Sequence, residues 1–307
     1  MEPLTIKFGG YQPPASIHNR AARRFGELLE QKLGDRVAFE LIGSVLDLGR
    51  PSGDLPVMVE SGELSFCYMS TVRFTGWVPE LQLLELPFLV RDRETAWAAL
   101  DGELGDLFTR RMHATTPFRV VGLWDNGFRH LSNRVRPIRR PEDCRGLIIR
   151  TQMSDLHGEV FRALGFEPIA ADIKQFVAEI AGGRFDAQDN PLTNIYTFGV
   201  HRHHPYITLS GHFFGASFLI VNERQYRSWP PDVQAAVDEA AVHATALQRQ
   251  LAASEDEDVL TRLDPRENDV IELTAGEQAA FVAAVLPVLV RHRKRLDPKL
   301  FEYLDRG

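Results

Sequence analysis

Hydrophobic and polar positions alternate in short blocks along the first third of the chain. Leu4–Phe8 reads as a strand ending in Gly9-Gly10. Asn19–Leu33 has helical spacing through Ala22, Phe25, Leu29 and Leu33, and Gly34 stops it. Val37–Ile42 is a second strand, Leu55–Ser61 a short helix closed by Gly62, and Leu64–Met69 a third strand. Leu83–Leu89 is apolar but broken by Pro87, which argues against a strand. Glu94–Phe108 puts Trp97, Leu100, Leu104 and Phe108 on one helical face, and Phe118–Trp124 is a fourth strand. This rhythm predicts a parallel or mixed sheet covered by helices.

The pattern restarts near Asp125. His130–Asn133, Leu147–Arg150 and Arg184–Gln188 read as strands, with Phe166–Ile169 short and extended. Between them lie helices at Ser154–Leu164, with Ser154 as N-cap, and at Ile173–Ala181, ended by Gly182-Gly183. Phe213–Asn222 is a long apolar strand. Pro230-Pro231 then opens a helix reaching from Asp232 to about Leu263. That length far exceeds the usual ~11–12 residues, so the helix can span two lobes. Val270–Leu273 is strand-like and Gly276–Lys294 helical. No repeat or long flexible linker separates these parts. The fold class is therefore α/β in two lobes, residues 1–124 with 211–250 and residues 125–210 with 251–307. Clefts between such lobes are favoured ligand sites.

Composition narrows the chemistry. The 307 residues suit two domains at roughly 100–200 residues each. A formal net charge of -7 argues against a nucleic-acid partner. No stretch approaches the ~20 apolar residues of a membrane span. Cys67 and Cys144 both lie beside apolar runs, as two small buried hydrophobes or as one bridge. Met1-Glu2-Pro3 leads directly into the first strand, so either the chain is cytoplasmic or a leader has been trimmed.

Candidate chemistry centres on Arg150, which ends the apolar run Leu147-Ile148-Ile149. Ligands of open α/β sheets gather at strand ends, and a guanidinium offers a planar fork of donors to a carboxylate. The alternative is a salt bridge to a neighbouring acid. Tyr11 and Gln12 follow the first strand, Tyr68 and Ser70 end the third, Asn126 follows the fourth, and Phe213 opens the long apolar strand. Each is either a cleft residue or core packing. His201, His203 and His204 lack the convergent ligand set of a zinc site, and read as a solvated loop. Gly9-Gly10 lacks the spacing of a phosphate loop, and no nucleophile motif occurs. Neither a metal nor a cofactor is expected.

In order and spacing, several segments together resemble the DctP-like solute-binding proteins of TRAP transporters. They are Leu48-Gly49, Gly62-Glu63-Leu64, Pro79-Glu80-Leu81 through Leu86-Pro87-Phe88-Leu89, and Gly127-Phe128-Arg129 with Asn133. Arg136-Pro137-Ile138 through Gly146, Leu147–Arg150, Leu164-Gly165 with Pro168, Gly183–Asp186, Gln188-Asp189-Asn190-Pro191, His212 and Trp229-Pro230 extend the likeness over nearly the whole length.

The resemblance implies a two-lobed, type II-like periplasmic binding protein with a hinged cleft and a long helix spanning both lobes. It implies a receptor rather than an enzyme, a small organic acid as ligand, TRAP membrane subunits as partners, and a periplasmic location. Monomers and homodimers both fit the resemblance, and the lack of a long exposed apolar helix beyond the spanning one favours a monomer here. It assigns Arg150 to the ligand carboxylate, Arg129 as its assistant and Asn190 to the ligand, with Gln188 in the same motif. Two departures stand out. Ala187 replaces a glycine, and Asp189 replaces a longer glutamate, which leaves the role of Asp189 open. Tyr68–Arg73 matches no general pattern and is expected to face the cleft and influence which ligand is accepted. A cytoplasmic or sensory carboxylate-binding protein, or an enzyme on the same fold, is the alternative reading, because fold does not fix function.

Overall fold

The computed structural model describes residues 2–305. Nine strands and eleven α-helices occur among them. The strands are β1 (Leu4–Gly9), β2 (Val37–Ile42), β3 (Phe66–Ser70), β4 (Phe118–Asn133), β5 (Ile148–Thr151), β6 (Glu167–Ala170), β7 (Ala187–Pro191), β8 (Tyr206–Asn222) and β9 (Asp269–Glu272). The helices are α1 (Ile17–Leu33), α2 (Leu55–Ser61), α3 (Arg93–Asp101), α4 (Glu103–Thr115), α5 (Asp155–Ala163) and α6 (Ile173–Glu179). They continue as α7 (Leu192–Thr197), α8 (Glu223–Ser228), α9 (Pro231–Arg262), α10 (Ala275–Arg293) and α11 (Lys299–Asp305).

All the strands join one mixed sheet in the order β2-β1-β3-β8-β4-β7-β5-β6, with β9 also on β8. Two expected strands, Phe118–Trp124 and His130–Asn133, are one strand, β4, because bulges at Val120/Gly122, Asp125/Gly127 and Arg129/Leu131 bend it without ending it. Gly127 supplies the left-handed turn (φ 85°) in the middle bulge. Its partner β8 starts at Tyr206, not Phe213, since the polar stretch Tyr206–His212 still pairs with β4. Near its C-terminal end β8 pairs with β3, and near its own C-terminal end β4 pairs with β7. Thus β4 and β8 run through both halves of the sheet and cross between them at Trp124–Arg129 and Phe213–Ser217.

Two further expectations are corrected. The helix expected over Glu94–Phe108 is two, broken at Gly102, whose extended backbone (φ -106°, ψ -151°) ends α3 and starts α4. The strand expected at Arg184–Gln188 lies at Ala187–Pro191, because Gly183 and the turn before it delay pairing.

The 32 residues of α9 span about 48 Å. Its buried face is rich in alanine, at Ala236, Ala240, Ala241, Ala244 and Ala252, and these small side chains allow close approach to the sheet. It packs along α1, crosses β4 and reaches α7. At the crossing, Gln248 takes both backbone groups of Asp125, its Oε1 accepting from the amide at 2.8 Å and its Nε2 donating to the carbonyl at 2.5 Å. Trp124 Nε1 donates to Thr245 Oγ1 at 3.1 Å, and Arg249 donates to the Leu123 carbonyl. These contacts fasten the middle of α9 to the point where β4 passes between the sheet halves. α10 packs on α5, whereas α11 packs on α3 and α4. The C-terminal helix therefore packs on elements of residues 1–124; residues 1, 306 and 307 fall outside the described residues.

Candidate functional site

A narrow cleft opens where the strand ends of the two halves meet. Tyr11, Ser52, Met69, Ser70 and Arg73 line it from the β1–β3 side, and Arg150, Gln152, Ile173, Asn190 and Asn194 from the other. A wider groove beside α10 holds Phe88, Phe128, Val282 and Leu286, but its polar side chains Arg91 and Gln278 are solvent-exposed. The cleft differs in bringing buried polar groups together.

Arg150 is only 3% exposed. Its Nε donates to the Ala171 carbonyl at 2.9 Å, and its guanidinium carbon lies 5.7 Å from the Phe176 ring centroid. Among the described residues its remaining nitrogens have no protein partner and no carboxylate pairs with it. Burial, then the like charge of Arg129, pulls its pKa down to about 10, so it is still a cation at neutral pH. Parallel pairing of β5 with β7 sets Arg150 opposite Gln188, and the strand's alternation puts Gln188 and Asn190 on that same face. Gln188 donates to Ser132 Oγ at 2.6 Å and accepts from Asn190 at 2.5 Å. Gln188 thereby lies outside the cleft lining and orients Asn190, whose Oδ1 accepts from Asn194 at 3.3 Å.

Arg129 takes a different place. It does not line the cleft; its Nε donates to Asp189 Oδ2 and an η nitrogen to the Asp189 carbonyl, each at 2.5 Å. Asp189 is wholly buried, and although burial raises its pKa, Arg129 and His212 outweigh this and hold it far below the usual carboxylate range. The shorter acid therefore serves as the counterion of Arg129.

The first-half candidates also divide. Tyr11 and Ser70 line the cleft. Tyr68 does not: its hydroxyl accepts from the amides of Tyr11 and Gln12 at 3.2 and 3.1 Å and donates to Asn19 at 3.2 Å. It pins the loop that presents Tyr11, with its ring packed against Trp124 and His18. Gln12 is fully buried, and both polar atoms of its side chain lack a partner among the described residues. Asn126 sits buried in the middle bulge of β4 with Oδ1 unpartnered, outside the cleft lining. Phe213 is core: its ring stacks on His157 at 4.2 Å and packs edge-on against Phe161. Of the histidines expected in a solvated loop, His203 is exposed and His201 half-buried, but His204 departs from the expectation. His204 is buried and bonded to Ser132 Oγ at 3.0 Å, and burial lowers its pKa to about 3. Both cysteines are free and buried.

Sequence reasoning missed Ser52, Asn194 and Asp172. Asn194 stands four residues after Asn190, in the first turn of α7 directly after β7, a position that could have flagged it. Asp172 caps α6, accepting from the Lys174 amide at 3.0 Å, and reaches across the cleft. Its carboxylate accepts from Ser52 Oγ at 2.7 Å, from the amides of Ser52 and Gly53, and from Arg73 at 3.1 Å. Lys174 Nζ adds a bond to the Gly49 carbonyl.

Residues 8–295 match the model of the DctP family, described as bacterial extracellular solute-binding protein, family 7. The chain belongs to that family. This TRAP solute-binding family consists of transport receptors rather than enzymes. The C4-dicarboxylate-binding periplasmic protein DctP of Rhodobacter capsulatus is 27% identical, over 94% of this chain and 86% of its own. The 2,3-diketo-L-gulonate-binding periplasmic protein YiaO of Escherichia coli is 25% identical, over 92% of this chain and 84% of its own. A TRAP periplasmic solute-binding protein from Sulfurospirillum deleyianum, solved with bound succinate, superposes with a TM-score of 0.94 at 26% identity, covering 99% of both chains. The galactonate complex of the sugar acid binding protein DctPAm from Advenella mimigardefordensis shares the fold, with a TM-score of 0.93 at 24% identity over 99% of this chain and 98% of that one. No helix among the described residues is long and apolar enough to cross a membrane.

Proposed function

We propose that this chain is the periplasmic receptor of a TRAP transporter, that it captures a small organic acid by pairing the acid's carboxylate with Arg150, and that it hands the acid to membrane subunits. The observation that carries the reading is a nearly buried guanidinium, facing a cleft, with donors left over and no protein counterion. An unpaired charge in such a place is costly, and a carboxylate on two parallel hydrogen bonds relieves it. Asn190, Asn194, Tyr11 and Ser70 supply polar contacts for the rest of the ligand. Arg129, neutralised by its pair with Asp189, assists by bracing the β4–β7 wall behind the cleft rather than by adding net charge to it. The organic acids named for the relatives and for the succinate-bound neighbour support this ligand class.

In this reading the lobes are residues 1–124 with 211–250 and 299–305, and residues 125–210 with 251–298. They rock about the β4 and β8 crossings while α9 stays fastened to Asp125. The receptor works as a monomer. A thermal-shift screen tests the function, using hydroxy, keto, sugar, aromatic and dicarboxylic acids with the matching amides as controls. An acid at about 1,000 times its Kd adds about 4.1 kcal/mol. The reading requires a large shift with at least one acid and none with its amide. Equal shifts with acid and amide, or no shift from any acid with protein freed of co-purified ligand, contradict it.

A further inference from the structure

The charges around Arg150 decide more than the presence of one carboxylate. Arg150 feels two other cations, Arg129 and Arg73, and two anions, Asp189 and Asp172. Each cation holds its own acid: Arg129 pairs with Asp189 at 2.5 Å, and Arg73 with Asp172 at 3.1 Å. Among the described residues no acidic side chain lines the cleft itself. The balance of the site is thus one positive charge, carried by Arg150. Arg73 lines the cleft from the opposite wall and would be a natural second carboxylate anchor if it were free. It is not free, because Asp172 reaches over from the other lobe and occupies it.

We propose that Asp172 is a specificity-determining residue: by occupying Arg73 it leaves the closed cleft with a single uncompensated cation, selecting monocarboxylates with hydroxyl or carbonyl groups and turning away dicarboxylates. This rests on the reading of Arg150 as the carboxylate anchor. A monocarboxylate brings the site to neutrality. A second carboxylate buried between the lobes has no free cation to meet, and a buried unpaired charge is strongly disfavoured. The neutral lining groups Ser52, Ser70, Gln152 and Asn194 instead suit the hydroxyl or oxo groups of a monoacid. This sets the cleft apart from a purely electropositive pocket, where a diacid gains from both arginines.

The test is calorimetric titration of acid pairs of equal carbon number, lactate with malonate and 3-hydroxybutyrate with succinate, using protein unfolded and refolded to remove co-purified ligand. Wild type is expected to favour the monoacid of at least one pair about tenfold or more. Asp172→Asn keeps a good helix cap and an acceptor for Ser52 but frees Arg73, so the ratio of diacid to monoacid affinity should rise about tenfold or more. The double variant Asp172→Asn with Arg73→Gln returns the site to one positive charge and should restore the wild-type ratio. If Asp172 serves only to latch the lobes together, Asp172→Asn weakens every acid alike and leaves the ratio unmoved, which overturns the proposal. Preference of wild type for diacids, with Arg150→Ala still abolishing binding, overturns this inference alone. Absence of binding by any acid overturns the Arg150 reading with it.

Discussion

Replacing Asp189 by Asn or Ala breaks a wholly buried ion pair and leaves the Arg129 guanidinium without its counterion. Asp189 accepts two donors from Arg129, one on its side chain and one on its carbonyl, and faces His212 Nε2 at 3.6 Å. Loss of one partner of such a pair costs about 3–5 kcal/mol, because the surviving charge stays desolvated. At roughly 2–4 °C per kcal/mol for mid-sized chains, the melting temperature should fall on the order of 10 °C. The pair also predicts an acid limb. The folded-state pKa of Asp189 lies below its unfolded value of about 3.9. The stabilisation is therefore fully present above about pH 4 and is lost as pH falls below it toward the folded value. Urea unfolding of the ligand-free protein, followed by circular dichroism at pH 7 and at pH 4 and below, measures both effects. The double variant Arg129→Met with Asp189→Leu removes both charges and should recover most of the loss. A loss under about 1 kcal/mol in Asp189→Ala, or a double variant no better than the single, refutes the assignment of this pair as a self-contained unit.

Three other outcomes follow from the same structure. Gln248→Ala removes two buried bonds to the Asp125 backbone and should cost about 1–3 kcal/mol in urea unfolding; an unchanged midpoint contradicts the clamp. Phe213→Ala should cost about 3–5 kcal/mol of stability yet leave the ranking of ligands unchanged, because its ring packs on His157 and Phe161 away from the cleft; a changed ranking contradicts its place in the core. His18, His130 and His204 are buried, and each pKa is lowered to about 3, mainly by desolvation. Unfolding near pH 5 therefore takes up protons, and stability should fall as pH drops from about 6.5, by about 1.4 kcal/mol per unit for each histidine; a flat profile between pH 7 and 5 contradicts the neutral buried rings.

The alternation of strand and helix, the long α9 and the polar ends of the strands could all be read from spacing, because period and punctuation are local properties. Continuity of β4 could not, since Asp125-Asn126-Gly127 reads as an interruption while in the fold it is a bulge carried by pairing to β8. Arg150 was visible as an arginine ending an apolar run. Whether it met a protein carboxylate was not, because Asp189 and Asp172 are distant in sequence and each turns to another arginine. Tyr68 and Phe213 were placed near the cleft by their positions at strand ends, but their surroundings bury them: three hydrogen bonds commit the tyrosine hydroxyl, and a histidine ring covers the phenylalanine. Asp172 gave only the local signal of a helix cap, and its reach across the cleft is a tertiary fact.

Everything proposed for the ligand turns on Arg150 holding its carboxylate. The most direct measurement is titration calorimetry of the acid giving the largest thermal shift, and of its amide, into wild type, Arg150→Lys and Arg150→Ala. Wild type is expected to bind the acid and not the amide. Arg150→Ala should lose about 3–5 kcal/mol, or about 10²–10³-fold and somewhat beyond. Arg150→Lys should keep only part of the affinity, since an ammonium cannot reproduce the planar fork. Binding of the acid by Arg150→Ala at wild-type affinity, with the variant folded, would contradict this role of Arg150.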